Sequence, residues 1–240
     1  MTRIATPQNG APPFSSVTPS LEFHGRTALQ RQFSALKQRF NLLLVPGLFG
    51  SGPLHWQSEW SHAFTLDRLS QEDWNTPTPT KWDESLAHAI NAPERADKPI
   101  LLIGHSLGAI LCARWLQRNH TRTTPPLVAG AFLVAPADTE QAQTPDSFRI
   151  HSFAPLPSGP LAVPTTIIAS ENDPWLSYER ATDLAQHWGS DLKSAGPRGH
   201  IGSNEPLGLW EEGAQELFTF SQTRLTALAL GANDSRATHS

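Results

Sequence analysis

The sequence has little of what would place it in several large classes of protein. It contains one cysteine, Cys112, and so has no partner for an internal disulfide. No apolar run approaches the roughly 20 residues that a membrane-spanning helix needs. Lys and Arg number 18 against 22 Asp and Glu, a formal net charge of −4. Because no excess of positive charge would attract phosphate backbones or an anionic membrane surface, we expect neither nucleic acid nor a membrane as a partner.

Metal-binding patterns are also missing. His55 and His62 are seven residues apart, but no H-E-x-x-H motif or cysteine cluster accompanies them. Cys112 lies in the apolar run 110–113, which predicts core packing rather than a reactive thiol. We therefore expect no metal and no cofactor.

The start of the chain bears on localisation. Residues 1–20 lack the apolar stretch of a secretory signal, which predicts a cytoplasmic protein. Within residues 1–40, however, four arginines and one lysine accompany a single acid, Glu22. This arginine-rich, acid-poor character also resembles an organelle transit peptide, and that alternative stays open.

Composition divides the chain into three parts. Residues 1–40 are predicted to be a flexible extension, because 1–20 is rich in proline, serine and threonine and has few bulky apolar residues. Residues 41–222 form the predicted domain, and 223–240 a C-terminal tail. Within the extension, apolar residues at helical spacing predict a short amphipathic helix that packs on the domain surface: Leu29, Phe33, Leu36 and Phe40.

From residue 41 onward, short apolar runs alternate with helical patterns. This alternation is typical of βαβ units, which build a mostly parallel sheet with helices on both faces and so a three-layer α/β fold. Strands are predicted at 42–45, 65–69, 100–103, 128–134, 165–169 and 191–194. Helical stripes are predicted at Leu86 and Ile90, from Leu107 to Trp115, from Ala181 to Trp188, and from Trp210 to Phe218.

The third predicted strand runs directly into a G-x-S-x-G motif, formed by Gly104, Ser106 and Gly108, and a helical pattern follows at once. When a strand, this motif and a helix follow one another, the chain makes a sharp strand-to-helix turn. That turn holds the serine in a strained conformation at the edge of the sheet. The glycines remove Cβ atoms that would collide with neighbouring backbone. We therefore predict that Ser106 is a nucleophile and that the Leu107 N–H, at the helix N-terminus, faces a developing oxyanion.

A serine nucleophile needs a base within hydrogen-bond reach and an acid that orients the base. After this motif the expected chain order is serine, acid, histidine. Asp173 follows the fifth predicted strand and His200 follows the sixth, so both fit. Asp138, just beyond the fourth strand, is a competing acid. His105 is excluded as the base, because adjacent side chains on a tight turn diverge.

The loop after the first strand, from Val45 to Pro53, predicts the second oxyanion donor. Gly47 lets the backbone approach the substrate, and the Leu48 N–H is the candidate donor. A phosphate-binding loop would end in a lysine followed by serine or threonine, whereas this loop reaches Pro53. Nucleotide binding is therefore disfavoured.

Together these segments resemble the family of small serine hydrolases that includes human retinoblastoma-binding protein 9 and related bacterial proteins. The resemblance covers most of residues 42–220 and implies an α/β-hydrolase fold without a large cap domain. It also implies a triad of Ser106, Asp173 and His200, and so favours Asp173 over Asp138. The motifs that carry it are V-P-G at 45–47, G-S-G-P at 50–53, H-W-Q at 55–57, D-W at 73–74, G-H-S-L-G at 104–108, L-V-A-P-A-D at 133–138, N-D-P at 172–174, W-G-S at 188–190 and G-H-I at 199–201.

The function predicted from the sequence is hydrolysis of small carboxylic esters through an acyl-enzyme on Ser106. The short stretch between Asp138 and Thr165 leaves no room for a large cap, which suggests a shallow pocket for small acyl groups. Two alternatives stay open: a peptidase, amidase or thioesterase with the same triad, and a protein-interaction module on a hydrolase scaffold. The candidate lining residues of the pocket are Phe49, Trp56 and Trp175.

Overall fold

Helices and strands alternate along the chain, as the sequence pattern predicts. The computed structural model describes residues 19–119 and 127–225. The helices are α1 (Pro19–Arg39), α2 (Trp56–Phe64), α3 (Pro79–Asn91), α4 (Leu107–Arg118), α5 (Tyr178–Trp188) and α6 (Glu211–Thr223). The strands are β1 (Asn41–Val45), β2 (Asp67–Arg68), β3 (Ile100–His105), β4 (Val128–Val134), β5 (Thr165–Ala169) and β6 (Asp191–Ser194).

The six strands form one parallel sheet in the order β2-β1-β3-β4-β5-β6. After β1 the chain winds outward to β2 and then returns to place β3 on the other side of β1. The loops that leave the adjacent carboxyl ends of β1 and β3 therefore diverge. In open parallel sheets a crevice at such a switch point is the usual position of a binding site.

Apolar side chains pack on both faces of the sheet, which makes three layers. Along β1, Leu43 and Val45 point to the cluster formed with α3, α4 and α5, whereas Leu42 and Leu44 point to the cluster formed with α1, α2 and α6. Two buried faces explain why the central strands are continuous apolar runs rather than alternating ones. The predicted three-layer α/β architecture, with helices on both faces of a parallel sheet, is confirmed.

Helix α1 is longer than the short helix predicted, with 21 residues. Leu29, Phe33 and Leu36 are buried, and the Phe33 ring stacks on Phe64 with ring centroids 4.2 Å apart. The helix therefore packs into the core on one face of the sheet. The boundaries at 41 and 222 stay predictions. Residues 1–18 of the extension predicted at 1–40, and residues 226–240 of the tail predicted at 223–240, lie outside the described residues.

Two elements differ from the sequence-based prediction. The second strand was predicted at 65–69, but β2 has two residues, because Thr65 adopts a left-handed conformation (φ 53°) as the C-cap of α2. Helix α2 was not predicted. It begins after His55, an uncommon N-cap residue whose side chain accepts the Gln57 N–H.

The connection from β4 to β5 contains two short 3-10 turns, Ser147–Arg149 and His151–Phe153. No large cap domain covers the carboxyl edge of the sheet in the described chain. Among the described residues, no helix has the length and apolar character needed to cross a membrane.

Candidate active site

Ser106 lies between the last residue of β3 and the first residue of α4, at the carboxyl edge of the sheet. Its backbone has φ 56° and ψ −126°, a strained conformation for a residue other than glycine. A Cβ at Gly104 would lie 2.7 Å from the Ala109 Cα, and one at Gly108 would lie 2.1 Å from the Val45 carbonyl oxygen. The tight turn that presents Ser106 therefore requires both glycines of the motif.

The loop after β1 packs directly against this turn. A Cβ at Gly47 would lie 2.8 Å from the Ser106 Cβ and 3.0 Å from the Leu107 nitrogen. Leu107 is the first residue of α4, so its N–H is among the helix amides that have no intrahelical acceptor. The predicted donor loop, with Leu48 directly after Gly47, is thus adjacent to the serine.

His200 and Asp173 meet Ser106 from loops that follow later strands. The His200 Nε2 lies 2.8 Å from the Ser106 Oγ, and its Nδ1 lies 2.9 Å from both carboxylate oxygens of Asp173. The Asp173 side chain is 1% exposed, and it also accepts the Trp175 N–H at 2.8 Å. The structure thus brings the three predicted side chains together in the predicted order.

The protonation pattern of His200 follows from these contacts. A carboxylate only accepts hydrogen bonds, so the Nδ1 that faces Asp173 carries a proton. The Nε2 of the neutral ring is then free to accept the proton of the Ser106 hydroxyl. This arrangement can remove a proton from the serine during nucleophilic attack.

Two hydrogen bonds tie the loop that carries the acid to the loop that carries the base. The Asn172 Oδ1 accepts the Gly199 N–H at 2.7 Å, and the Ser170 Oγ accepts the Arg198 N–H at 2.9 Å. Because these loops follow adjacent strands β5 and β6, the sheet and these bonds together fix the separation of Asp173 and His200.

The competing acid, Asp138, has other partners. Its Oδ1 accepts the backbone N–H groups of Glu140 and Gln141, and its Oδ2 accepts the Arg180 Nε–H at 3.1 Å. The carboxylate thus stabilises the loop after β4 and an ion pair with α5. His200 contacts Asp173 instead.

Of the candidate lining residues, Trp175 lies against His200 and Phe49 follows Gly47 in the loop that packs on Ser106, whereas Trp56 is buried. Phe49 is 50% exposed, within the predicted donor loop, and the Trp175 ring stacks on the His200 ring with centroids 5.5 Å apart. The prediction for Trp56 was wrong: as the first residue of α2 it is 1% exposed. Its Nε1–H donates to the Ile201 carbonyl oxygen at 3.0 Å, behind the base.

Two buried histidines near the site were not predicted to act together. The His55 Nε2 lies 3.3 Å from the His105 Nδ1, and the His105 Nε2 lies 2.9 Å from the backbone oxygen of His200. Burial, followed by the neighbouring His200 and Arg68, lowers the pKa of His55 to about 3. Burial likewise holds the pKa of His105 well below its usual value. The partners of His105 are thus distant from it in the sequence.

Other groups do not extend the site. Cys112 is fully buried, and burial raises the pKa of its thiol, so it stays protonated. In the two described stretches, no group of three or more His, Cys, Asp or Glu is arranged to hold a metal ion. His62 is an exposed residue in the last turn of α2, whereas His55 is buried.

A serine on a sharp turn between a central parallel strand and a helix, at the edge of a sheet with no large cap, is typical of α/β hydrolases. A family model described as serine hydrolase matches residues 42–219, and the chain belongs to that family.

Solved structures agree with this assignment. A YdeN-like hydrolase from Pectobacterium atrosepticum is 33% identical, over 81% of this chain and 97% of that one, with a TM-score of 0.69. The ydeN gene product from B. subtilis is 20% identical, over 77% and 100%, with a TM-score of 0.60. The RedJ thioesterase from Streptomyces coelicolor is 14% identical, over 75% and 84%, with a TM-score of 0.56, and so shares the fold. No curated protein gives a significant match.

Proposed function

We propose that this hydrolase cleaves small carboxylic esters through an acyl-enzyme on Ser106. The observation that carries the proposal is the 2.8 Å contact between the Ser106 Oγ and the His200 Nε2, with Asp173 on the other ring nitrogen. A hydroxyl at its ordinary pKa is a poor nucleophile, and this contact supplies the base that it needs.

In acylation, the Ser106 Oγ attacks the ester carbonyl carbon while His200 takes the hydroxyl proton. The carbonyl oxygen becomes an oxyanion, which accepts hydrogen bonds from the Leu48 and Leu107 N–H groups. The intermediate then collapses, the bond to the alcohol oxygen breaks, and His200 returns the proton to that oxygen. The alcohol leaves and the acyl group stays on Ser106.

Deacylation repeats these steps with water. His200 takes a proton from a water molecule as its oxygen attacks the acyl carbon, and then returns the proton to the Ser106 oxygen as the acid departs. Throughout, Asp173 keeps the ring in the required tautomer and stabilises the imidazolium that forms. Besides the ester and one water molecule, the proposed chemistry uses side chains and backbone amides of this chain.

Small acyl groups fit the surroundings of Ser106 best. The connection between β4 and β5 contributes only short 3-10 turns, and the flanking Phe49 is half exposed. An open site with few walls buries little of a long acyl chain, so a long chain gains little binding energy there. We expect kcat/KM to be higher for acetyl and butyryl esters than for long-chain esters.

A matched set of 4-nitrophenyl esters of increasing acyl length tests the proposal. We expect Ser106→Ala to lower kcat by a factor on the order of 10^4 to 10^6. Ser152→Ala, at an exposed serine outside the site, is the control and should match the wild type. Ester turnover by Ser106→Ala at the wild-type rate would rule the proposal out.

The same assay separates ester hydrolysis from the related chemistries. A butyryl thioester and a butyryl anilide, assayed beside the butyryl ester, differ from it only in the leaving group. We expect the ester to have the highest kcat/KM of the three. A preference for the thioester or the amide would reassign the substrate class while keeping the nucleophile.

A further inference from the structure

A continuous chain of hydrogen bonds runs behind the base, through two buried imidazoles. The Gln57 N–H donates to the His55 Nδ1 at 3.1 Å. The His55 Nε2 meets the His105 Nδ1 at 3.3 Å, and the His105 Nε2 meets the His200 carbonyl oxygen at 2.9 Å. The chain thus connects the N-terminus of α2 to the backbone of His200.

The groups at the two ends of this series of hydrogen bonds determine which nitrogen of each imidazole carries the proton. At one end, the His55 Nδ1 accepts a backbone N–H, so its proton is on Nε2. At the other end, a carbonyl oxygen only accepts, so the His105 Nε2 carries a proton. These two proton assignments are compatible, because the His55 Nε2–H then donates to the unprotonated Nδ1 of His105. Each ring is neutral, with every nitrogen paired.

Burial excludes solvent from the His55 and His105 rings and keeps both of them neutral. His55 is 3% exposed and His105 is 6% exposed. Burial lowers the pKa of both rings, and the charged or titratable groups that act on the pair, Arg68 and His200, lower the pKa of His55 further. Hydrogen bonds in such a low-dielectric region are stronger and better ordered than those exposed to water.

The segment that the pair holds is strained. Ile201, directly after the base, has φ 50°, which is unusual for a β-branched residue and persists only where neighbouring contacts impose it. Its carbonyl oxygen accepts the Trp56 Nε1–H, and the preceding carbonyl of His200 accepts the His105 Nε2–H. Two successive carbonyl groups of the base loop are therefore held by buried ring N–H donors.

We propose that His55 and His105 are positioning residues, a neutral imidazole pair that fixes the backbone of His200 so that its ring stays in line with the Ser106 Oγ. This inference rests on the proposed function, since it assigns the pair a part in the same reaction. His105 is the residue directly before the nucleophile, so the pair links the positions of nucleophile and base.

Leucine and glutamine replacements test the inference by steady-state kinetics on 4-nitrophenyl butyrate. His105→Leu removes the donor to the His200 carbonyl, and we expect kcat to fall about tenfold to a hundredfold with KM within about twofold, because a small misplacement of a catalytic group has effects of this size. His105→Gln places an amide N–H near the same oxygen and should recover part of kcat. His62→Gln, at the exposed histidine on α2, should match the wild type.

Thermal unfolding of each variant distinguishes positioning from general stability. We expect His105→Leu and His105→Gln to unfold at similar temperatures yet differ in kcat. A folded His105→Leu variant with wild-type kcat would overturn the inference. A kcat loss that follows the unfolding temperature across the Leu and Gln variants would overturn it too.

Nitrogen-15 NMR of the wild-type protein tests the pair without any variant. We expect His55 and His105 to be neutral Nε2–H tautomers at pH 6, and an imidazolium or an Nδ1–H tautomer at either residue would overturn the inference. The Ser106→Ala variant distinguishes a failure of the proposed function from a failure of the positioning inference. Its full activity would refute the proposed function, whereas its inactivity together with wild-type kcat in His105→Leu would refute the positioning inference alone.

Discussion

At the residue scale, two buried carboxylates at the same edge of the sheet have different partners. Asp173 contacts the His200 Nδ1, whereas Asp138 pairs with Arg180 and caps its own loop. Chain order admitted both acids, because each follows a buried strand. The contact with His200 favours Asp173, and it arises from the juxtaposition of the loops after β5 and β6.

The two carboxylates should therefore respond differently to substitution by asparagine. We expect Asp173→Asn to lower kcat by a factor on the order of 10^3 to 10^4, because an amide can donate to Nδ1 and so favour the wrong tautomer of the base. Asp138→Asn should keep kcat within a few fold and lower the free energy of unfolding by about 1–3 kcal/mol. Kinetics and urea unfolding of both variants check this. Equal losses of kcat would contradict the assignment of the acid.

The buried His55 predicts a pH dependence of stability. Its pKa is about 3 in the folded protein, whereas an unfolded histidine titrates near 6.5. Between these values only the unfolded state binds the proton, so stability falls as the pH is lowered from 6.5 towards 3. One such group contributes about 1.4 kcal/mol per pH unit in that window.

Urea unfolding of His55→Gln and wild type between pH 4.5 and 7 measures this contribution. We expect the variant to have the shallower slope of unfolding free energy against pH, with His62→Gln matching the wild type. Identical slopes for His55→Gln and wild type would mean that His55 is already protonated in the folded protein.

The sequence predicted Ser106 from the local G-x-S-x-G motif and His200 from the chain order, and the family resemblance favoured Asp173 over Asp138. It did not predict the contact between His105 and the His200 backbone, which joins residues 95 positions apart. That contact depends on where the loop after β6 crosses the end of β3. Trp56 was misassigned for a related reason: without α2, its burial could not be recognised.

At the scale of elements, the close packing of the β1 loop on the turn at Ser106 shapes the site. Gly108 is at the centre of this contact, since a Cβ there would lie 2.1 Å from the Val45 carbonyl oxygen and 2.5 Å from that of Pro46. Backbone atoms cannot give way as a flexible side chain can. Any side chain at residue 108 must push the loop that carries Leu48 away from Ser106.

Gly108→Ala should therefore damage both stability and activity. We expect the free energy of unfolding to fall by about 1–3 kcal/mol, as for overpacked interiors, and kcat to fall about tenfold to a hundredfold as the donor loop shifts. Gly159→Ala is the matched control, because a Cβ there has no atom within 4 Å. If Gly108→Ala kept wild-type kcat, the loop would not contribute to catalysis.

Elements with strong patterns were predicted well, and elements with weak patterns were not. The strands β3, β4 and β5 are buried along their whole length and were predicted from their apolar and β-branched residues. Helix α2 has no common N-cap residue, and β2 pairs through two residues. Short elements of this kind are fixed by tertiary packing rather than by local sequence.

At the scale of the whole molecule, α1 lies outside the region matched by the family model yet packs into the core. Phe33 is fully buried, stacks on Phe64 and meets Trp60 and Phe218 edge-on. We expect Phe33→Ala to lower the free energy of unfolding by about 3–5 kcal/mol. Gln30→Ala, at an exposed position on the same helix, should change it by less than about 0.5 kcal/mol.

Chemical denaturation of these two variants decides whether α1 belongs to the cooperative unit. A single transition that shifts to lower urea in Phe33→Ala is the expected result. If both variants unfolded like the wild type, α1 would be dispensable, and the domain boundary predicted at residue 41 would be favoured.

The central claim is that the Ser106 oxygen is made reactive by His200, and labelling with a fluorophosphonate followed by peptide mass spectrometry tests it most directly. The account predicts a single adduct on the peptide that contains Ser106, absent in Ser106→Ala and formed at least about a thousandfold more slowly in His200→Ala. An adduct on a different serine, or wild-type labelling of either variant, would contradict it.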